Sequence, residues 1–358
     1  MEQHKNVMQL LERIQHSAVS PLIVDQEGIA REYAKERANK SATVIKVLSV
    51  LGGFLATLTF LGFLFIGGVY DSSGFMIVLG LVFIVGAIAL NRAFDSWITG
   101  TFSVTTFISG FVLLTIGCTM EDMDERTIIY LLLTLTLISL FLTQNYILTF
   151  VSVVAINGYI AALYVINNAE GFMFIYINAL TLLITFVFLR EGAILSLGKK
   201  YRKLYAPVRA GLVFSLFSVL LASHYRYLPE STIVAPWMSS IMPVLITMYL
   251  INVLLTLSPD RTTVSKAALW GISLLILIPT AFAPAILCSL LILLLSFYVN
   301  YKTGLVLAIL AFLYFTSVFY YDLHMTLLVK SGLLFFSGVL FIVLYLLTNR
   351  KLKSNEEI

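Results

Sequence analysis

Charge is scarce in this sequence. Asp, Glu, Lys and Arg together make up 12% of its 358 residues, against roughly 25% in a soluble domain. That deficit excludes a globular chain with a solvated surface, and a mean hydropathy of +0.96 points to the membrane class. Cysteine is scarcer still. Cys118 and Cys288 each lie in or at the end of an apolar run, and they form no disulfide framework and have no neighbours at zinc-ligand spacing. The four histidines, His4, His16, His224 and His324, contain no His-Glu-x-x-His or paired spacing, so no metal set is visible. No Asp or Glu lies deep in any apolar run, whereas proton relays in carriers are built from intramembrane carboxylates. No acid–base pair or activated nucleophile stands out either. Neither catalytic residues nor a cofactor site are expected.

What the chain has in abundance is apolar length: 59% of its residues are hydrophobic. A span needs about 20 mostly apolar residues to cross a core of roughly 30 Å. Twelve such runs fall near 43–69, 74–90, 98–118, 127–143, 146–166, 172–189, 208–224, 232–257, 264–280, 283–299, 303–320 and 324–348. The expected fold is all-α, a polytopic transmembrane bundle of about twelve helices in the lipid bilayer. Charge fixes the parity. With the N-terminus in the cytosol, twenty Lys and Arg residues fall on the inner side. Only Arg126 and Arg226 fall outside, and Lys330 lies within the last run. An odd helix count would spoil that bias, so both termini are expected in the cytosol. The net charge of +4 is accounted for in the same way and implies no nucleic-acid partner.

Residues 1–42 are expected to be a cytosolic amphipathic segment, with Val7, Leu10, Leu11 and Ile14 on one helical face and a break at Ser20-Pro21. The apolar run from Thr43 begins behind this segment and is expected to be a retained span, because a cleavable signal places its apolar core earlier. Residues 43–349 form the transmembrane domain and 350–358 a cytosolic tail. A basic loop, 190–207, with Lys199-Lys200-Tyr201-Arg202-Lys203, divides the spans six and six, a layout often found in transporters. A basic run beside a span acts as a topology determinant and can also hold anionic lipid. The outer Glu121-Asp122-Met123-Asp124-Glu125 lacks the glycine and ligand spacing of a calcium loop. Asn157, Asn178 and Asn252 are the amides of the spans, a type that commonly joins helices.

The costliest position is Lys330. It follows Asp322 by eight residues, which puts it roughly 12 Å into the membrane at 1.5 Å per residue. Its side chain leans toward the outer face, past Thr326 and in the direction of Asp322. Tyr320 and Tyr321 mark the interface. Two roles fit Lys330: a structural anchor bonded to a neighbouring helix, or a ligand, ion or partner site. The stretch Tyr320-Tyr321-Asp322-Leu323-His324-Met325-Thr326-Leu327-Leu328-Val329-Lys330-Ser331 resembles the C-terminal signature of a bacterial membrane family, the domain-of-unknown-function family 4401. Tyr320, Tyr321, Leu323, Thr326, Leu327, Leu328, Lys330 and Ser331 fit its pattern. The resemblance implies a bacterial inner-membrane protein and a separately encoded membrane partner bearing a Gly-Asp-Tyr motif. It implies no activity.

The leading expectation is a non-enzymatic membrane component that works with a partner protein, through Tyr320, Tyr321, Asp322, His324, Thr326, Lys330 and Ser331. The alternative is a transporter or flippase with Asn157, Asn178 and Asn252 lining a mid-membrane cavity. A membrane-embedded enzyme ranks last, and would require Asp322, His224 and His324 to share an outer cleft.

Overall fold

The computed structural model describes residues 71–93, 97–143, 145–167, 173–226, 236–256 and 280–322. Parts of 52–68 and 270–278 and single positions at 169, 331, 335, 339 and 342 are also described. The N-terminal segment 1–42, the tail 350–358 and most of the first, ninth and twelfth apolar runs lie outside the described residues. By contact the chain divides into residues 1–67 and 68–358. In the first unit the positions described between 55 and 66 are helical, and Thr59 Oγ1 donates to the Leu55 carbonyl at 2.9 Å.

The second unit is built from helices, with no strand among the described residues. In chain order they are α1 (Ser73–Ala93), α2 (Trp97–Met120), α3 (Glu125–Leu142), α4 (Tyr146–Ile166), α5 (Met173–Leu189), α6 (Glu191–Ser196), α7 (Lys199–Arg226), α8 (Ile241–Thr256, entered through a 3-10 turn at Pro236–Ser240), α9 (Pro284–Tyr298) and α10 (Lys302–Asp322). Among the described residues seven are long and apolar enough to cross a membrane, and α5 and α9 are shorter apolar helices. The chain is a multi-pass membrane protein by the length and composition of these helices. Most of the expected runs coincide with helices to within two or three residues.

The basic stretch 190–207 needs correction, because it is not an open loop. Its first part is the short helix α6, Gly198 turns the chain at φ +146°, and α7 begins at Lys199. Lys, Arg, Leu and Ala form helix well whether or not lipid surrounds them. Hydropathy marks where the bilayer ends, whereas the helix continues past it. Pro207 sits inside α7 and leaves the Lys203 carbonyl without a helical donor.

Packing forms two centres that share α4. One joins α1, α2, α3 and the start of α4 through Ile84, Phe107, Leu114, Leu132 and Leu148. Here α1 and α2 approach at backbone distance: a Cβ on Gly80 would lie 2.8 Å from the Gly110 carbonyl, and one on Gly110 would lie 2.8 Å from the Gly80 carbonyl. Glycine is required for that contact, as in small-residue packing between membrane helices generally. The other centre surrounds α9, whose Leu287, Cys288, Leu291, Ile292 and Leu295 are fully buried among α5, α7, α8 and α10. At 15 residues, α9 is only about 22 Å long, and it is enclosed by protein instead of lipid.

Local signals set the turns. The Asn145 side chain accepts from Ile147 N at 2.8 Å and Leu148 N at 3.4 Å, an N-cap for α4. After α9 the chain reverses at Asn300, in the left-handed region at φ 57°. Tyr301 N donates to the Ser296 carbonyl at 2.7 Å and Asn300 N to the Phe297 carbonyl at 3.2 Å. That is a Schellman ending with asparagine in the position usually held by glycine.

Candidate functional site

The residues expected to form a site near the C-terminus divide into two groups. Tyr320, Tyr321 and Asp322 form the last turn of α10, with Tyr321 and Asp322 exposed. The two tyrosine rings meet edge to face, with centroids 5.7 Å apart. Ser331 is helical and exposed. His324, Thr326 and Lys330 lie outside the described residues. The helix that carries the tyrosines is the least enclosed of the seven long apolar helices. Of its 21 residues only Gly304, Ala308 and Phe315 are buried. Its open side runs through Val306, Leu310, Leu313, Tyr314 and Ser317 to Tyr321.

A second cluster, around Arg209, was not expected from the sequence. Arg209 stands one residue inside an apolar run, where it counts as one more inner-side charge. Its side chain is only 11% exposed, and NH1 lies 3.3 Å from Glu191 Oε2 in an ion pair. The same nitrogen donates to the Tyr205 hydroxyl at 3.3 Å, and that hydroxyl reaches the Val187 carbonyl at 3.2 Å. Aromatic faces enclose the guanidinium: Tyr301 at 3.8 Å, Tyr205 at 4.8 Å and Phe188 at 5.6 Å from ring centroid to Cζ. Such cation–π contacts strengthen as water is excluded. Burial pushes the Tyr301 hydroxyl above its ordinary range, with Tyr146 pushing the same way and Arg209 opposing, so the ring is neutral beside the cation.

The cage is assembled from separate parts of the chain. Phe188 ends α5, Glu191 opens α6, Tyr205 and Arg209 sit one turn apart on α7, and Tyr301 leaves the α9–α10 turn. A Cβ on Gly304 would overlap the Tyr301 ring and stand 2.7 Å from Ser296 Oγ. Glycine there keeps the ring over the guanidinium. The spacing Arg202, Tyr205, Arg209 at i, i+3, i+7 places these residues on one face of α7, and it is the one signal of the cluster available in the sequence.

The amides join helices. Asn157 Nδ2 donates to the Val153 carbonyl at 2.7 Å, and its Oδ1 accepts from the Tyr176 hydroxyl at 2.7 Å. Asn178 donates to the Phe174 and Met238 carbonyls, both at 2.8 Å, and accepts from Met242 N at 2.9 Å. It thus ties α5 to the entrance of α8. Asn252 is exposed on α8. Two of the three residues expected to line a transport cavity therefore spend their hydrogen bonds on helix pairing. At the other end of the bundle from Arg209, Ser73 Oγ donates to Glu121 Oε1. A cavity of about 360 Å³ between α2, α3 and α4 is lined by Phe107, Phe111, Thr115, Thr136, Val151 and Tyr159 among others, and it carries no charged group. Among the described residues no three His, Cys, Asp or Glu side chains converge.

The chain belongs to the family described as Domain of unknown function (DUF4401), whose model matches residues 43–351. The match spans the apolar helices and the tyrosine signature alike. No curated protein matches the sequence.

Proposed function

We propose that this member of the family is a twelve-span, non-enzymatic component of a bacterial cytoplasmic membrane, with both termini in the cytosol. It works by holding a second membrane protein against α10 and the segment 320–331. The observation that carries this reading is the uncovered side of α10. That side displays Tyr314, Thr316 and Ser317 within its apolar length and ends in Tyr321 and Asp322. What supports the reading is the extent of this exposed face, since small hydroxyl residues such as Thr316 and Ser317 are typical of surfaces where membrane helices pack together. A neighbouring helix would cover it. The resemblance at Tyr320 to Ser331 names the candidate: a separately encoded membrane protein bearing a Gly-Asp-Tyr motif.

Lys330 is the residue on which the contact turns, as the lysine within the last apolar run of the sequence. The test is affinity purification of the tagged full-length chain from its native membrane. Lys330→Met and Tyr321→Ala are expected to insert and accumulate like the wild type while losing the co-purified partner. Unchanged recovery of the partner with both variants would sink the reading.

A further inference from the structure

We infer that the end of the bundle around Arg209 is a binding site for the phosphate headgroup of an anionic phospholipid. The buried cage itself does not touch the lipid. It fixes a rim of exposed cations brought from separate elements. Arg190 precedes Glu191, Lys302 follows Tyr301, and Arg202 stands one turn before Tyr205 on α7. Each is therefore one residue or one helical turn from a member of the cage, and Arg190, Arg202, Lys203 and Lys302 are all exposed. Among the described residues the acid beside these cations, Glu191, is already engaged by Arg209. The exposed side chains described on this rim are thus basic, carried on a base that the cage holds in place.

The surroundings select a lipid over a soluble anion. The rim lies at the ends of α5, α7 and α9, where apolar helices stop. Leu197 and Tyr201, 67% and 50% exposed, flank the Gly198 turn beside Arg202 and Lys203. An exposed leucine and tyrosine next to basic side chains match the boundary between acyl chains and headgroups. A basic side chain near an anionic surface contributes roughly a fivefold gain in binding. The site does not rest on the partner proposed for α10: it is built from the ends of α5 and α9 and from α6 and α7, with Lys302 its contribution from α10.

The test uses the full-length chain, delipidated in detergent, with phosphatidylglycerol, phosphatidylcholine and inorganic phosphate as separate probes, read by native mass spectrometry. Wild type is expected to retain phosphatidylglycerol in preference to phosphatidylcholine. Arg202→Gln with Lys302→Gln should weaken that retention about 25-fold, at about fivefold per charge, with the melting temperature unchanged. Tyr301→Leu keeps every rim charge but loosens the base, and should weaken retention at least fivefold. Arg126→Gln, an exposed cation elsewhere on the bundle, should change nothing. Equal retention of the two lipids, equal losses from Arg126→Gln, or full retention by Tyr301→Leu would overturn the site as built. Inorganic phosphate bound as tightly as the lipid would overturn the choice of ligand.

Discussion

Breaking the Arg209 cage from the Glu191 side should cost more than the exposure of Glu191 suggests. Glu191 is 31% exposed and meets Arg209 at 3.3 Å, whereas Arg209 is only 11% exposed and its Nε is buried without a partner. An exposed pair is worth about 0.2–1 kcal/mol, and removing one partner of a fully buried pair costs about 3–5 kcal/mol. This pair lies between those limits, so Glu191→Gln should destabilise the chain by about 1–2 kcal/mol. Arg209→Met keeps the stem between the rings and leaves Glu191 free to turn to water. Its cost is then mainly the lost cation–π contacts, about 1–2 kcal/mol. The double variant should be no worse than Arg209→Met alone, giving a coupling of about 1–2 kcal/mol. Denaturant unfolding of the full-length chain in detergent micelles, run as a double-mutant cycle, measures this directly. Additive single costs, with no coupling, would refute the reasoning.

Other consequences follow from close contacts and spent hydrogen bonds. Gly110→Val places a side chain where a Cβ would already lie 2.8 Å from the Gly80 carbonyl. It should separate α1 from α2 and cost at least about 1–3 kcal/mol, seen as a lower melting temperature and faster proteolysis of the α1–α2 hairpin. Asn178→Leu should cost about 1–2 kcal/mol and increase hydrogen exchange at Met242, whose amide loses its acceptor. Gly304→Ala should push the Tyr301 ring off Arg209, and a changed tyrosine fluorescence with little loss of helix by circular dichroism would report it.

The sequence resolves the helices well because each apolar run is long enough to declare itself. The run expected at 146–166 matches α4 residue for residue, and that at 303–320 is α10 less a residue or two at each end. It resolves the basic stretch less well. Hydropathy reports the apolar run from 208, and α7 begins nine residues earlier, at Lys199, on the strength of good helix formers after Gly198. The cage at Arg209 was not legible, since charge counting treats that arginine as loop charge. Its partners Glu191 and Tyr301 come from α6 and from the α9–α10 turn, and nothing local announces them. The tyrosines were expected to mark the interface, and they fall in the last turn of α10. Which sides of α10 remain uncovered was not, because Gly304, Ala308 and Phe315 as the buried set follow from where α9 and α7 lie.

The central claim is that α10 is the docking helix for a second membrane protein. It is tested most directly by placing a photoreactive side chain at Leu313 on the open side of α10, and separately at Val85 on the exposed face of α1, in cells of the native membrane. The account predicts an adduct with the Gly-Asp-Tyr protein from position 313, none from position 85, and loss of the adduct in the Lys330→Met background. Lipid adducts alone from position 313, or the same protein captured equally from both positions, would contradict it.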